Sequence, residues 1–230
     1  MTLSMMNHSA KHDQEKRWAI VTGASSGIGL AFARKLSLRG HSVLAVARRR
    51  ERLEALPKET GRDRGHAEPL VADLLTEQGL ACVIQRIASL NNIALLINNA
   101  GIATRGNFLS APLEGAIKAS RLNIDAVVRL THEVLRVMIP KGHGAVINVA
   151  SVVAFQPSPH FAVYKAFVLS FTKAVAEEVK NTGVRVMALC PGAARTEMEM
   201  FSHNEGLLGK LRSLTVTRPP SMRPTNGVKS

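Results

Sequence analysis

Strand-like and helix-like segments alternate along this chain from residue 18 to residue 192, with short connections between them. The strand-like segments are nearly continuous apolar runs, which is typical of parallel strands covered by helices on both faces. This alternation predicts an α/β fold with a doubly wound parallel sheet. Six strands are expected, with the sequences WAIVTGA, HSVLAVAR, AEPLVADL, IALLINNAG, GAVINVAS and VRVMALCPG.

Helical segments lie between these strands. Gly40, Gly142 and Gly183 each stand where a helix should end, because glycine adopts the left-handed backbone conformation without strain. One of the helices, LNIDAVVRLTHEVLRVM, lies inside a longer insertion. The others have the sequences GIGLAFARKLSLRG, RERLEALPKE, TEQGLACVIQRIASL and KAFVLSFTKAVAEEVKN.

The two ends of the chain lack this pattern. Residues 1–17 show no periodicity, and the segment TRPPSMRPTNGVKS is proline-rich and basic. Such segments cannot bury enough apolar surface to form a packed core. We therefore predict a disordered tail over 1–17, a single domain over 18–200, and a short, partly disordered C-terminal segment over 201–230.

The composition argues against several classes of function. No apolar stretch reaches the roughly 18 residues that span a bilayer, and the first residues lack the core of a secretory signal, so a cytoplasmic protein without a membrane partner is expected. Cys82 and Cys190 lie far apart, and the 8 histidines show no ligand spacing, which indicates neither a disulfide nor a metal site. A net charge of +13 attracts phosphates, but only 4% of the residues are aromatic, and no nucleic-acid-binding module is recognisable.

Three glycines follow the first strand, at the point where the chain should turn into a helix. Gly23, Gly27 and Gly29 have the spacing G-x-x-x-G-x-G, which differs from the commoner G-x-G-x-x-G. Glycines let the backbone approach a ligand closely, and the N-terminus of the following helix attracts anions. The turn therefore predicts a binding site for the pyrophosphate of a dinucleotide.

Several further motifs occur in one order along the chain: TGASSGIG at 22–29, Asp73-Leu74, NNAG at 98–101, Asn123, Ser151, Tyr164 and PGAART at 191–196. In this order they resemble the short-chain dehydrogenase/reductase family over about residues 18–200. The resemblance implies a single Rossmann-type domain with about six to seven strands. It also implies a nicotinamide cofactor, hydride transfer between an alcohol and a ketone or aldehyde, and a homodimer or homotetramer.

The end of the second strand predicts which cofactor is used. Relatives that prefer NAD place an aspartate where this chain has Ala47, and Arg48 and Arg49 follow here. An aspartate would repel a 2′-phosphate, whereas arginine offers it a fork of donors, so NADP(H) is expected. The resemblance implies that the cofactor is held by Thr22, Gly23, Ser25, Ser26, Gly27, Ile28, Gly29, Arg48, Arg49, Asp73, Leu74, Asn99, Ala100, Gly101, Lys165, Pro191, Gly192 and Thr196.

The resemblance also implies four catalytic residues. In the family a serine holds the substrate oxygen, a tyrosine transfers the proton, a lysine lowers the tyrosine pKa, and an asparagine supports a water relay. The corresponding residues here are Ser151, Tyr164, Lys165 and Asn123. A tyrosine with a pKa near 10 needs such a neighbouring cation in order to act at neutral pH.

The lysine departs from the family pattern. The family writes Y-x-x-x-K on a helix, which places both side chains on one face, but here Lys165 directly follows Tyr164. Three arrangements are open. Tyr164 keeps its place and Val168 occupies the lysine position; Lys165 keeps its place and Phe161 occupies the tyrosine position; or the chain before Lys165 is not helical and Tyr164 bends back into reach.

Two hypotheses of function follow. The first is an NADP(H)-dependent oxidoreductase that interconverts an alcohol and a ketone or aldehyde, with Tyr164 as proton donor and acceptor. The alternative is a catalytically impaired relative that binds the cofactor and acts as an interaction or sensing module.

After PGAART the family usually adds helices that cover the substrate, and a seventh strand. Only LTVT at 214–217 is a candidate for that strand here. The substrate is therefore not specified by the sequence.

Overall fold

A computed structural model describes residues 17–60, 65–104, 108–156 and 161–192. They form one parallel sheet with the strand order β3-β2-β1-β4-β5-β6. The predicted doubly wound fold is confirmed, since the strand order reverses next to β1 and all the pairs are parallel. The strands are β1 (Trp18–Thr22), β2 (Ser42–Ala47), β3 (Ala67–Val71), β4 (Ile93–Asn98), β5 (Gly144–Val149) and β6 (Val184–Leu189).

Helices cover both faces of the sheet. Their bounds are α1 (Gly27–Leu38), α2 (Arg50–Thr60), α3 (Glu77–Ala88), α4 (Leu113–Ser120), α5 (Ala126–Met138) and α6 (Phe161–Glu178). A π-helical turn, Arg121–Asp125, joins α4 to α5, and 3₁₀ turns follow at Ile139–Lys141 and Val152–Phe155.

The alternation of side chains along β1 shows how the two layers form. Trp18 and Ile20 pack in a buried cluster with apolar residues of α3 and α5. Ala19 and Val21 face the other way and pack with residues of α1 and α2. Because successive strand residues point to opposite faces, an apolar strand such as β1 needs a helix layer on each side.

Two helices differ from the sequence expectation. Helix α4, with the sequence LEGAIKAS, lies in the longer insertion, where the sequence predicts only the helix LNIDAVVRLTHEVLRVM. Helix α6 begins at Phe161, four residues earlier than expected, so Tyr164 and Lys165 both lie inside a regular helix.

Within the described ranges, no helix is both long and apolar enough to cross a bilayer. Residues 1–16 of the predicted tail, Thr196 and the segment 201–230 lie outside the described residues.

Candidate active site

A cleft of about 480 Å³ lies at the carboxyl edge of the sheet, where the strand order reverses. Ligands of open α/β sheets bind at this kind of position. Most of the predicted site residues line the cleft: Gly23, Ser25, Ser26, Gly27, Ile28, Arg48, Arg49, Asp73, Leu74, Asn99, Ala100, Gly101, Ser151, Lys165, Pro191 and Gly192. Thr22, Gly29, Asn123 and Tyr164 are not among its lining residues, and Thr196 lies outside the described part of the chain.

Two glycines of the turn, Gly23 and Gly29, stand where no side chain fits. Gly23 has a φ of +67°, and a Cβ there would lie 2.7 Å from the side-chain amide nitrogen of Asn99. A Cβ on Gly29 would lie 2.3 Å from the carbonyl oxygen of Gly23. The turn and the first turn of α1 therefore pack backbone against backbone, which leaves the N-terminus of α1 open toward the cleft.

Thr22 joins the glycine turn to the end of β4. Its buried hydroxyl accepts hydrogen bonds from the backbone N–H groups of Asn99 and Ala100, at 3.0 Å each. The side chain of Asn99 returns a bond of 3.0 Å to the carbonyl oxygen of Thr22. The two residues thus hold the ends of β1 and β4 together from behind the cleft.

Replacing Thr22 with valine is expected to lower the free energy of unfolding by about 2 kcal/mol or more, because two backbone N–H groups lose their acceptor. Thr22→Ser is the matched control: it keeps the hydroxyl and loses one methyl group, for about 1 kcal/mol. Urea unfolding of both variants measures the difference. Equal losses in the two variants would contradict this role of the hydroxyl.

The arginines after β2 lie beside the glycine turn. Arg49 donates hydrogen bonds to the hydroxyls of Ser25 and Ser26, at 3.1 and 2.6 Å. Arg48 also lines the cleft, whereas Arg50 pairs with Glu54 on α2 at 3.2 Å. Asp73, at the end of β3, accepts a bond from the backbone of Leu75 at 3.0 Å, so its carboxylate also shapes the local turn.

Helix α6 brings Lys165 to the cleft and turns Tyr164 away. Phe161 and Lys165 both line the cleft, as expected for residues four apart on one helix face. Tyr164, about 100° around the helix from Lys165, is buried, and its hydroxyl donates a bond of 3.1 Å to the carbonyl oxygen of Ala116 on α4. Of the three arrangements open from the sequence, the structure has the one in which Lys165 keeps its place and Phe161 stands four residues before it.

Contacts downstream of Lys165 explain this register. The amide of Asn148 in β5 donates to the hydroxyl of Thr172 in α6, at 3.0 Å, and both side chains are buried. Val168 and Leu169 pack in a cluster with Val127 and Cys190. These contacts fix Lys165 and the later part of α6 against the sheet. Because Tyr164 directly precedes Lys165 instead of standing four residues before it, Tyr164 does not occupy the position that the Y-x-x-x-K pattern gives to the tyrosine.

Lys165 is deeply buried, with 5% of its surface exposed. Its ammonium donates to the carbonyl oxygen of Val149 at 2.7 Å and lies 5.1 Å from the centre of the Phe161 ring. Burial lowers its pKa to about 8, against a smaller opposite effect of Cys190. A buried amine without an anionic partner loses its proton more readily than a solvated one.

Asn123 lies behind the cleft, in the π-helical turn. Its amide nitrogen donates to the carbonyl oxygens of Ile102 and Ala119, at 2.8 and 2.9 Å. Its side-chain oxygen is fully buried without a hydrogen-bond partner. A Cβ on Gly101 would lie 2.6 Å from this oxygen and 3.6 Å from the Lys165 nitrogen, so both atoms lie against the same glycine.

Sequence reasoning did not identify the apolar part of the lining. Its residues are Ile102 from the connection after β4, Leu122 from the π-helical turn, Val152 and Val153 from a 3₁₀ turn, and Phe161 from α6. No short motif links these residues, since they come together only through the sheet. Phe161 is the exception, because its position four residues before Lys165 already suggested that it could face the site.

Residues 17–205 match the family described as short chain dehydrogenase. A short chain dehydrogenase of Pseudocercospora fijiensis is 39% identical over 186 residues, which cover 78% of this chain and 60% of that protein. The human 17-beta-hydroxysteroid dehydrogenase type 3 is 34% identical over 192 residues, covering 80% of this chain and 61% of that protein. The chain thus spans about three fifths of the length of these two relatives.

A solved structure is also similar to most of this chain. A short-chain dehydrogenase from Sphingobium yanoikuyae in complex with NADPH superposes with a TM-score of 0.76 and 37% sequence identity, over 79% of this chain and 73% of that one. The region that matches the family, residues 17–205, includes the glycine turn, the end of β4 and helix α6, where the motifs of the sequence lie. Fold, motifs and matches agree, and this chain belongs to the short-chain dehydrogenase family.

Proposed function

We propose that this chain is an NADP(H)-dependent oxidoreductase that interconverts an alcohol and a ketone or aldehyde in the cleft at the carboxyl edge of the sheet. The observation that carries the proposal is the pair of arginines that line the cleft beside the glycine turn. The complex of the Sphingobium relative with NADPH supports the choice of cofactor. The name of the human relative, a hydroxysteroid dehydrogenase, supports the class of substrate.

The residues present fit such a cofactor. The glycine turn and the N-terminus of α1 would hold the pyrophosphate, and Arg48 and Arg49 would hold the 2′-phosphate. Asp73 would accept hydrogen bonds from the adenine amino group. When bound, NADPH supplies the hydride for carbonyl reduction. Ser151, whose hydroxyl accepts a bond from the backbone of Val153 at 3.3 Å, would hold the substrate oxygen.

The cofactor preference can be tested with the arginines. Replacing both Arg48 and Arg49 with alanine is expected to weaken NADPH binding by about ten-fold to a hundred-fold, because charge-assisted bonds to the 2′-phosphate are lost. Binding of NADH should change much less, since it lacks this phosphate. Calorimetric titration of both cofactors gives the two dissociation constants.

Arg50→Ala is the matched control for this test, because Arg50 pairs with Glu54 instead of lining the cleft. It should leave both affinities unchanged. An equal loss of NADPH and NADH binding in the double variant would contradict the assignment of the arginines to the 2′-phosphate. Turnover of NADPH with a panel of ketones and aldehydes then tests the reaction.

One observation favours a second candidate function. The hydroxyl of Tyr164, the only tyrosine of the chain, donates to Ala116, and Phe161 lines the cleft instead. A chain with this arrangement would bind NADP(H) and serve as an interaction or sensing module. NADPH binding without turnover of any carbonyl compound would favour it over the enzyme.

Three further predictions belong to this proposal. Assembly as a homodimer or homotetramer is supported by exposed apolar side chains on α4 and α6, among them Leu113, Ile117, Val163 and Phe167. Location in the cytoplasm stays a prediction from the sequence. The role of Tyr164 as proton donor also stays a prediction, and it requires the side chain to leave Ala116.

A further inference from the structure

Carbonyl reduction needs a proton at the substrate oxygen, and the cleft holds few groups that can release one. This inference rests on the proposed function. Among the described lining residues, the titratable side chains are Arg48, Arg49, Asp73 and Lys165. Arginine does not release its proton in proteins. Asp73 and Lys165 are therefore the candidates.

Asp73 lies at the wrong end of the cleft. It follows β3, whereas Ser151 follows β5, and the strand order places these two strands four positions apart. At about 4.8 Å per strand, the separation is about 19 Å. Lys165, in contrast, is bonded to the carbonyl oxygen of Val149, two residues before Ser151.

The surroundings of Lys165 suit an amine that exchanges its proton. Burial lowers its pKa to about 8, so both forms are accessible near neutral pH. The titratable group that acts on it is Cys190, directly after β6, whose thiol stays neutral in this range because burial raises its pKa. From β5 and the π-helical turn it meets neutral groups only, Val149 and Asn123, and on its own helix the Tyr164 hydroxyl donates to Ala116.

We propose that Lys165 itself passes the proton to and from the substrate oxygen that Ser151 holds. During reduction, the carbonyl carbon receives a hydride from the reduced nicotinamide and its π electron pair moves onto oxygen. An N–H bond of the Lys165 ammonium then breaks, its electron pair stays on nitrogen, and the O–H bond of the alcohol forms. Solvent returns a proton to the amine. Alcohol oxidation reverses these steps.

The pH dependence of turnover tests this role. Reduction needs the ammonium, so its kcat should be level below pH 8 and fall above it. Oxidation needs the free amine, so its kcat should rise up to about pH 8 and then level off.

Variants show which residue causes this pH dependence. Lys165→Arg keeps a cation that cannot release its proton; it should lower kcat by about 10²-fold or more and remove the limb of the pH profile near pH 8. Tyr164→Phe should keep that limb, and Lys173→Met, on the exposed face of α6, serves as the control.

A second readout does not depend on activity. With 13C-labelled lysine, the Cε resonance that disappears in Lys165→Arg can be titrated in the chain without cofactor. A midpoint near pH 8 supports the proposal, and a midpoint near that of a solvated lysine overturns it. A limb that survives Lys165→Arg, or that disappears in Tyr164→Phe, also overturns it. An inactive parent chain that binds NADPH overturns the proposed function, whereas a limb that fails to follow Lys165 in an active chain overturns only the role of Lys165, so the two failures are distinguishable.

Discussion

Phe161→Tyr is expected to raise the rate of carbonyl reduction at pH 7 by roughly ten-fold to a hundred-fold. The substitution places a phenol four residues before Lys165 on the helix face that lines the cleft. The ring already lies 5.1 Å from the Lys165 ammonium, so the cation would stabilise a phenolate there. The phenol would then add a second proton donor to the cleft, beside the Lys165 ammonium. Steady-state turnover of NADPH with a ketone measures the gain.

Two controls separate the hydroxyl from other effects. Phe161→Leu changes the same position without adding a hydroxyl and should not raise the rate. The double variant Phe161→Tyr/Tyr164→Phe has a single tyrosine, like the parent chain, and should keep the full gain. A gain that vanishes in the double variant would mean that Tyr164 reaches the substrate after all.

Gly29→Ala is expected to abolish useful cofactor binding. The new methyl group would lie 2.3 Å from the carbonyl oxygen of Gly23 and 2.4 Å from the amide nitrogen of Asn99, which is itself bonded to Thr22. None of these atoms can yield without opening the turn. We expect a loss of about 2 kcal/mol in unfolding free energy and NADPH affinity at least about a hundred-fold weaker. Urea unfolding and calorimetric titration measure the two effects.

Gly115→Ala is the matched control on α4. Its new methyl group would meet only Thr104 Cγ2, at an ordinary 3.9 Å. Because alanine favours helix over glycine by up to about 1 kcal/mol, this variant should be as stable as the parent or slightly more stable. Normal NADPH binding by Gly29→Ala would contradict the tight packing of the turn.

The parts of the fold that depend on local pattern could be predicted from the sequence. The sheet was predictable because each strand is a short apolar run between helical segments. The glycine turn was predictable because the φ of Gly23 and the close packing of Gly29 both demand glycine at fixed positions. The cleft at the ends of β1 and β4 then follows from parallel topology.

The register of α6 could not be predicted, because distant contacts decide it. The bond from Asn148 to Thr172 joins residues 24 positions apart, and the partner of the Tyr164 hydroxyl lies 48 positions away. The spacing between Tyr164 and Lys165 showed that one of them must leave the usual arrangement. Which one moves depends on the packing of Val168 and Leu169, which a linear pattern does not reveal. Helix α4 was not predicted, because only LNIDAVVRLTHEVLRVM was assigned as a helix within the insertion.

The anchoring of α6 by Asn148 and Thr172 has a consequence for how protein quality control in the cell would respond to changes before Lys165. Tyr164 is well buried and hydrogen-bonded in its position, and Phe161 lies against Lys165 without leaving a polar group of its own unpaired. Chaperones and proteases respond to unfolded chain. An insertion or deletion before Lys165 can replace the aromatic residue that faces the cleft without unfolding the chain. Chaperones and proteases would therefore not recognise it. The presence or absence of a phenol on the cleft face of α6 would thus affect catalysis without affecting folding.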